Sequence, residues 1–135
     1  MFDMRLHHVA YVVPDLDAAL PDFTGRFGMT EVVREVMDAQ GVEALMMRAG
    51  DGFVELIRPL DPEGPIARFL ETRGGGLHHV AYAVNDIART LHGLAEQGVE
   101  LIDPEPRVGL GGHLVAFIHP RSGHGALTEL VQEAH

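Results

Sequence analysis

The hexapeptide LHHVAY occurs twice in this chain of 135 residues, at positions 6–11 and again at 77–82. The likeness continues beyond it, since LHHVAYVVPDLDAAL aligns with LHHVAYAVNDIARTL and FVELI at 53–57 aligns with LTELV at 127–131. Copies that begin about 70 residues apart suit a duplicated module better than a solenoid, whose repeats are about 20 to 50 residues long. We therefore predict one domain over residues 1–135, made of two repeats at about 5–60 and 76–133.

Apolar patterning and turn residues predict the order β-α-β-β-β within each repeat. Pro21 falls inside the first predicted helix, so we expect that helix to start near Asp17 or to kink. A short helix in PIARFLE is expected between the repeats. The predicted strands are 6–13, 30–37, 42–48 and 53–58, then 77–84, 99–103, 113–119 and 126–132; the two main helices are 14–28 and about 86–97, which end at Gly28 and Gly98.

Composition excludes several classes of function. The formal net charge is −10, from 20 acidic residues and ten arginines, so nucleic acid is not an expected partner. The chain has no cysteine, which excludes disulfides and leaves nitrogen and oxygen ligands for any metal. No apolar run approaches the roughly 18 residues that span a bilayer. We expect a soluble cytoplasmic protein that does not bind membranes.

Each repeat carries a histidine on its first strand and a glutamate on its last strand, namely His8 with Glu55 and His79 with Glu129. If the repeats pack about a pseudo-twofold axis, these side chains converge on it. Both carboxylates are flanked by apolar residues, and a buried carboxylate needs a partner. Two imidazoles and two carboxylates suit one divalent ion such as Zn²⁺, Ni²⁺, Co²⁺, Fe²⁺ or Mn²⁺. Strand alternation alone does not decide which histidine of each HH pair faces the ion.

Four longer stretches carry a family resemblance: QGVEALMM at 40–47, PIARFLETRGGG, GLHHVAYAVNDI at 76–87 and EPRVGLGGHLVAFIHPRSGHGALTEL at 105–130. From Leu6 to Gln132 the chain resembles the vicinal-oxygen-chelate superfamily and, more closely, the methylmalonyl-CoA epimerase family. The resemblance implies an α+β fold in which two tandem βαβββ modules form a cupped mixed sheet. It also implies a homodimeric, metal-dependent epimerase, with Co²⁺ as the expected metal, that interconverts (R)- and (S)-methylmalonyl-CoA through an enolate.

The resemblance also implies roles for individual residues. The second histidine of each pair, His8 or His79, and Glu129 match the family's metal ligands. Position 55 departs from the pattern, because this chain has Glu where family members carry Gln. The family's two acid–base groups correspond to Glu43 and Glu129.

The setting of Glu43 in the sequence adds two expectations. Its neighbours are mostly apolar, so we expect burial to raise the pKa of this carboxyl group. Matching Ala44 to Ala116 makes Val115 its counterpart in the second repeat, so the candidate base occurs only once.

Two alternative functions stay open on the sequence. A set of two histidines and two glutamates is also the ligand pattern of glyoxalase I, a lactoylglutathione lyase, so Glu55 keeps that activity possible. The run HPRSGHG favours the epimerase over the DPDGY-like turn typical of glyoxalase I. A non-enzymatic small-molecule-binding protein of the same fold, as in bleomycin resistance, is the third possibility.

Overall fold

The computed structural model describes residues 3–134, which contain eight strands and three α-helices. The first half contains β1 (Arg5–Val12), α1 (Leu16–Pro21), β2 (Thr30–Met37), β3 (Val42–Ala49) and β4 (Gly52–Pro59), followed by α2 (Pro65–Arg73). The second half contains β5 (Gly76–Ala83), α3 (Ile87–Glu96), β6 (Arg107–Val108), β7 (Leu114–Ile118) and β8 (Thr128–Gln132). The predicted order β-α-β-β-β is confirmed in both repeats. Within residues 3–134, none of the helices has the length and apolar character needed to cross a lipid bilayer.

The chain divides into two compact units, which we call the first module (residues 8–78) and the second module (residues 3–7 with 79–134). The start of β1 thus groups with the end of the chain. Arg5 Nη2 lies 3.0 Å from Glu133 Oε1, and the rings of His7 and His113 meet edge to face at 6.0 Å. The assignment of residues 1–135 to a single domain stays a prediction.

In the first module the strands lie in the order β2-β3-β4-β1. β1 is parallel to β4, whereas β3 is antiparallel to both β2 and β4. α1 packs on one face of this sheet, which we call the helix face of the first module. Apolar side chains fill that contact and exclude water from it: Leu16, Leu45, Met47, Val54 and Leu56.

The second module repeats this arrangement with the strand order β5-β8-β7-β6. β5 is parallel to β8, and β7 is antiparallel to both β8 and β6. α3 packs on its helix face through Ile87 and Leu91, which are buried against residues of β7 and β8. Each module therefore covers one sheet face with its own helix and leaves the other face for other contacts.

Pro21 is accommodated by a change in helix geometry. The carboxylate of Asp15 caps α1 by accepting hydrogen bonds from the backbone N–H groups of Asp17 and Ala18 at 2.9 and 3.2 Å. α1 begins at Leu16, close to the expected start, and ends at Pro21. A wider π-helical turn follows over Asp22–Arg26, as a missing backbone donor allows.

The strand predicted at 99–103 is wrong. That segment forms an isolated bridge between Leu101 and Ile118 and a few backbone hydrogen bonds with β7 and its end, but no strand; the outer strand of the second module is β6, farther along the chain. The prolines at 104 and 106 cannot donate to a strand ladder, which explains the interruption. The side chain of Asp103 instead accepts a hydrogen bond from the Phe117 backbone N–H at 2.8 Å.

Candidate functional site

Strand register brings His8 and Glu55 together in the first module. Ala10 on β1 is the partner of Glu55 on β4, and paired residues share a face of the sheet. His8 lies two residues before Ala10, so it lies on that face too. His8 Nε2 is 3.5 Å from Glu55 Oε1. We call the face that carries this pair the ligand face of the first module; it is opposite the helix face.

The second module builds the same pair with the same register. Ala81 on β5 is the partner of Glu129 on β8, and His79 lies two residues before Ala81. His79 Nε2 is 3.4 Å from Glu129 Oε1. The ring of Phe117, the β7 partner of Glu129, meets the His79 ring edge to face at 5.3 Å. The face that carries these residues is the ligand face of the second module.

Both pairs fit the donor chemistry of a divalent cation. The four residues are between 4% and 7% exposed, so each carboxylate is held away from water and needs a cationic partner. Two atoms bound to one cation at about 2.1 Å lie about 3.0 to 3.4 Å apart in octahedral or tetrahedral geometry. The His–Glu spacings match that range more closely than the length of a charge-assisted hydrogen bond, about 2.8 Å.

The chain thus carries a buried group of three potential metal ligands, His8, His79 and Glu129. In each HH pair the second histidine faces the glutamate, as the family resemblance implied. The first histidines have other neighbours: His7 packs against His113, and His78 meets the ring of Phe69 edge to face at 4.9 Å.

The environment of Glu43 contradicts the expected rise in its pKa. Arg34 Nε lies 3.0 Å from Glu43 Oε2, and Arg58 Nε lies 2.7 Å from Glu43 Oε1. Hydrogen bonds from Arg34 and then Arg58 hold the pKa of Glu43 below its usual range and outweigh the effect of burial. The sequence expectation was wrong because both arginines are distant in sequence and reach Glu43 only through strand pairing.

Glu43 also lies on the helix face of the first module. It is two residues from Leu45, which packs against α1. Arg34, which contacts Glu43, also forms an ion pair of 2.7 Å with Asp17 of α1. Glu55, in contrast, is paired with Met46, whose side chain points the other way. The structure therefore does not bring Glu43 together with His8 and Glu55.

The counterpart assigned to Glu43 in the second repeat was displaced by one residue. Met46 is the β3 partner of Glu55, and Phe117 is the β7 partner of Glu129. Counting back three residues from each shows that Glu43 corresponds to Leu114 and not to Val115. The match of Ala44 to Ala116, made from sequence alone, is one residue out of step with the strand pairing.

One acidic residue on the ligand face was missed from the sequence. Glu35 on β2 is the partner of Ala44, and Ala44 lies two residues before Met46, the partner of Glu55. Glu35 is half-buried. A sequence signal was present, since Val33, Glu35 and Met37 alternate with more exposed residues along β2, but either face of that pattern could have been the buried one.

Replacing Glu43 by Gln should lower the free energy of unfolding by about 1 kcal/mol near neutral pH, because two ion pairs are lost from a partly exposed site. The pKa of Glu43 is depressed in the fold, so its contribution is present above the unfolded-state value of about 4.3 and disappears as the pH falls through the lower folded value. Urea unfolding of both proteins at about pH 7 and about pH 3 measures this difference. Exposed Glu71, changed to Gln, is the control, and a difference that does not shrink in acid would contradict the assignment.

Residues 7–117 match the model of the glyoxalase/bleomycin resistance protein/dioxygenase superfamily. An ethylmalonyl-CoA/methylmalonyl-CoA epimerase of Cereibacter sphaeroides is 37% identical over 130 residues, which cover 95% of this chain and 97% of that protein. The crystal structure of methylmalonyl-CoA epimerase from Mycobacterium tuberculosis is similar with a TM-score of 0.91 and 35% identity, over 96% of this chain and 88% of that one. A methylmalonyl-CoA epimerase in complex with methylmalonyl-CoA and ammonium gives a TM-score of 0.92 at 30% identity, over 97% and 95% of the two chains. The α+β fold, the duplicated module and these likenesses together show that the chain belongs to this superfamily and, within it, to the family of the methylmalonyl-CoA epimerases.

Proposed function

We propose that this protein is a metal-dependent epimerase that interconverts (R)- and (S)-methylmalonyl-CoA. The observation that carries the proposal is the buried His–Glu pair that occurs in the same register in both modules. Membership of the epimerase family supports the substrate, since relatives that cover nearly the whole chain act on methylmalonyl-CoA by name. Family membership also favours the epimerase over the lactoylglutathione lyase and over a non-enzymatic binding protein.

The proposed ion is a single divalent cation held by His8, Glu55, His79 and Glu129. The group formed by His8, His79 and Glu129 supports this set, because each offers one ligand atom of a type that such cations accept. When bound, the cation supplies positive charge that favours the enolate oxygen of the intermediate. A second carboxylate at position 55 lowers the charge of the site, so we expect tight retention of the cation and a weaker Lewis acid. Cobalt as the metal, the homodimer and the cytoplasmic location remain predictions.

The reaction needs two acid–base groups. Carbon 2 of the substrate lies next to the thioester carbonyl, which takes up the electron pair as an enolate when a base removes the proton; positive charge near that oxygen makes the step accessible to a carboxylate base. Inversion requires that one group remove this proton while a second group return a proton to the opposite side of the carbon. Glu129 is proposed as one of the two. The family resemblance pairs it with Glu43, but the strand register puts Glu43 on the face opposite His8 and Glu55, so we propose a further carboxylate of the chain as the second group.

Proton exchange at carbon 2 tests the proposal. The protein is stripped with a chelator, reloaded with Co²⁺ or Zn²⁺, and incubated with methylmalonyl-CoA in heavy water. Deuterium uptake at carbon 2, measured by mass spectrometry, is expected with metal and not without it. Turnover of the hemithioacetal of methylglyoxal and glutathione, with no uptake in methylmalonyl-CoA, would instead identify the lyase. A protein that neither retains metal nor catalyses exchange would be a binding protein.

A further inference from the structure

We infer that Glu35 is the second acid–base residue of the epimerisation, acting on the side of the substrate carbon opposite to Glu129. The inference rests on the proposed function and names a residue that neither the repeat nor the family resemblance indicates. It follows from strand register within the first module, which decides which carboxylates share a face with the proposed metal ligands.

The register across three strands places Glu35 on the ligand face. Glu35 is paired with Ala44 on β3, and Ala44 is paired with Ile57 on β4. Ile57 is two residues beyond Glu55, so all of these positions share the face that carries Glu55 and His8. Neighbouring strands are about 4.8 Å apart and each residue rises about 3.3 Å, so Glu35 lies roughly 12 Å from Glu55, two strands across and two residues along the sheet. A separation of this size leaves room for the acyl group of a substrate between the two positions.

The contacts of the neighbouring residue support this assignment independently. Arg34 points to the helix face, because its guanidinium contacts both Asp17 of α1 and Glu43. Successive residues of a strand point to opposite faces, so Glu35 points away from α1. The same ion pairs hold Glu43 on the helix face between two arginines, where it is poorly placed to accept a proton from a substrate on the other side of the sheet.

The two modules differ at this position in a way that suits a directional reaction. In the second module Val115 takes the place of Ala44, and its β6 partner is Arg107. Arg107 Cζ lies 5.5 Å from the centre of the Phe117 ring, which contacts His79. The proposed metal ligands are thus repeated, whereas the same edge position carries a carboxylate in the first module and a guanidinium in the second. A proton-transfer group is needed at only one of them.

The proton balance of the step is simple. The Glu35 carboxylate accepts the proton from carbon 2, and the electron pair of the broken C–H bond enters the enolate. The carboxyl group of Glu129 then donates a proton to the opposite side of carbon 2, where the electron pair forms the new C–H bond. In the reverse direction the two carboxyl groups exchange roles, and solvent restores the starting protonation state.

Separate incubation of each enantiomer with the Glu35→Gln variant in heavy water tests the inference. Interconversion, followed with a stereospecific coupling enzyme, should fall by about a hundredfold or more. The enantiomer deprotonated by Glu129 should still take up deuterium without inversion, while the other should lose uptake. A purely structural role of Glu35 would slow uptake from both enantiomers equally. The Glu35→Asp variant keeps a carboxylate and should recover part of the interconversion.

Three measurements keep the outcomes separable. Metal content should be unchanged in Glu35→Gln, because Glu35 is not one of the proposed ligands. The Glu31→Gln variant, which alters an exposed residue of the same strand, should retain interconversion. Loss of interconversion in Glu43→Gln but not in Glu35→Gln would assign the role to Glu43 and overturn the inference. If the native protein exchanges but Glu35→Gln does so at a similar rate from both enantiomers, the inference is overturned and the proposed function stands. If the metal-loaded native protein shows no exchange, both fail.

Discussion

Replacing His79 by Ala should give a folded protein that no longer retains a divalent ion after dialysis and interconverts methylmalonyl-CoA at least about a thousandfold more slowly. The imidazole is buried and 3.4 Å from Glu129, so its loss removes one ligand and leaves that carboxylate without its neighbour. Loss of the cation removes several kcal/mol of stabilisation of the enolate, and about 4 kcal/mol corresponds to three powers of ten in rate. Metal analysis and the exchange assay, run on the same sample, measure both effects.

His92 provides the matched control for this substitution. It is an exposed histidine on α3 that pairs with Glu96, and the His92→Ala variant should keep both metal and activity. Full metal content in His79→Ala would mean that His79 is not a ligand. Loss of metal in both variants would point to a general effect of the substitution on the fold, which circular dichroism would reveal.

The Glu129→Gln variant should separate metal retention from proton transfer. Glutamine keeps an oxygen that can bind the cation, so metal content should fall only moderately, but the amide cannot exchange a proton with carbon 2. We expect interconversion to fall by about 10³ to 10⁴. Deuterium uptake should persist in one enantiomer only, the one that Glu35→Gln no longer labels.

Glu55→Gln is the matched control, because Glu55 occupies the corresponding position in the first module and has the same neighbour type, His8. This variant should hold the metal less tightly yet retain interconversion when metal is supplied in excess. Equal loss of activity in the two glutamine variants under saturating metal would show that Glu129 has no role beyond that of Glu55.

The repeat made most of the fold predictable from sequence. The identical run LHHVAY predicted the same strand in both copies, which are β1 and β5. The boundaries of an element in one copy also helped to predict those of its counterpart in the other. The strand at 99–103 was wrong because its apolar residues suggested a ladder that the following prolines prevent. A local sequence pattern does not reveal which groups hydrogen-bond to an edge strand. Here the side chain of Asp103 accepts the hydrogen bond from the Phe117 backbone N–H of β7.

The candidate site was predictable only where the repeat marked it. His8, Glu55, His79 and Glu129 stood out because each occurs in matching copies, and the structure places one His–Glu pair in each module. Glu43 was harder to judge, because its surroundings depend on Arg34 and Arg58, which strand pairing brings to it. Glu35 lay in an alternating strand whose buried face no local feature identified.

The alternation of faces along β3 has a consequence for how this family diverges. One additional residue inserted between Glu43 and Ala44 would turn the Glu43 carboxylate over to the side of Glu55, while the strand from Ala44 onward kept its pairing. A single-codon insertion or deletion at this point of β3 therefore moves an acidic group onto or off the ligand face without any substitution of the residues around it. In such relatives, an alignment by sequence identity would match residues that lie on opposite faces of the sheet. Only the strand pairing would show which chain has a carboxylate on the ligand face.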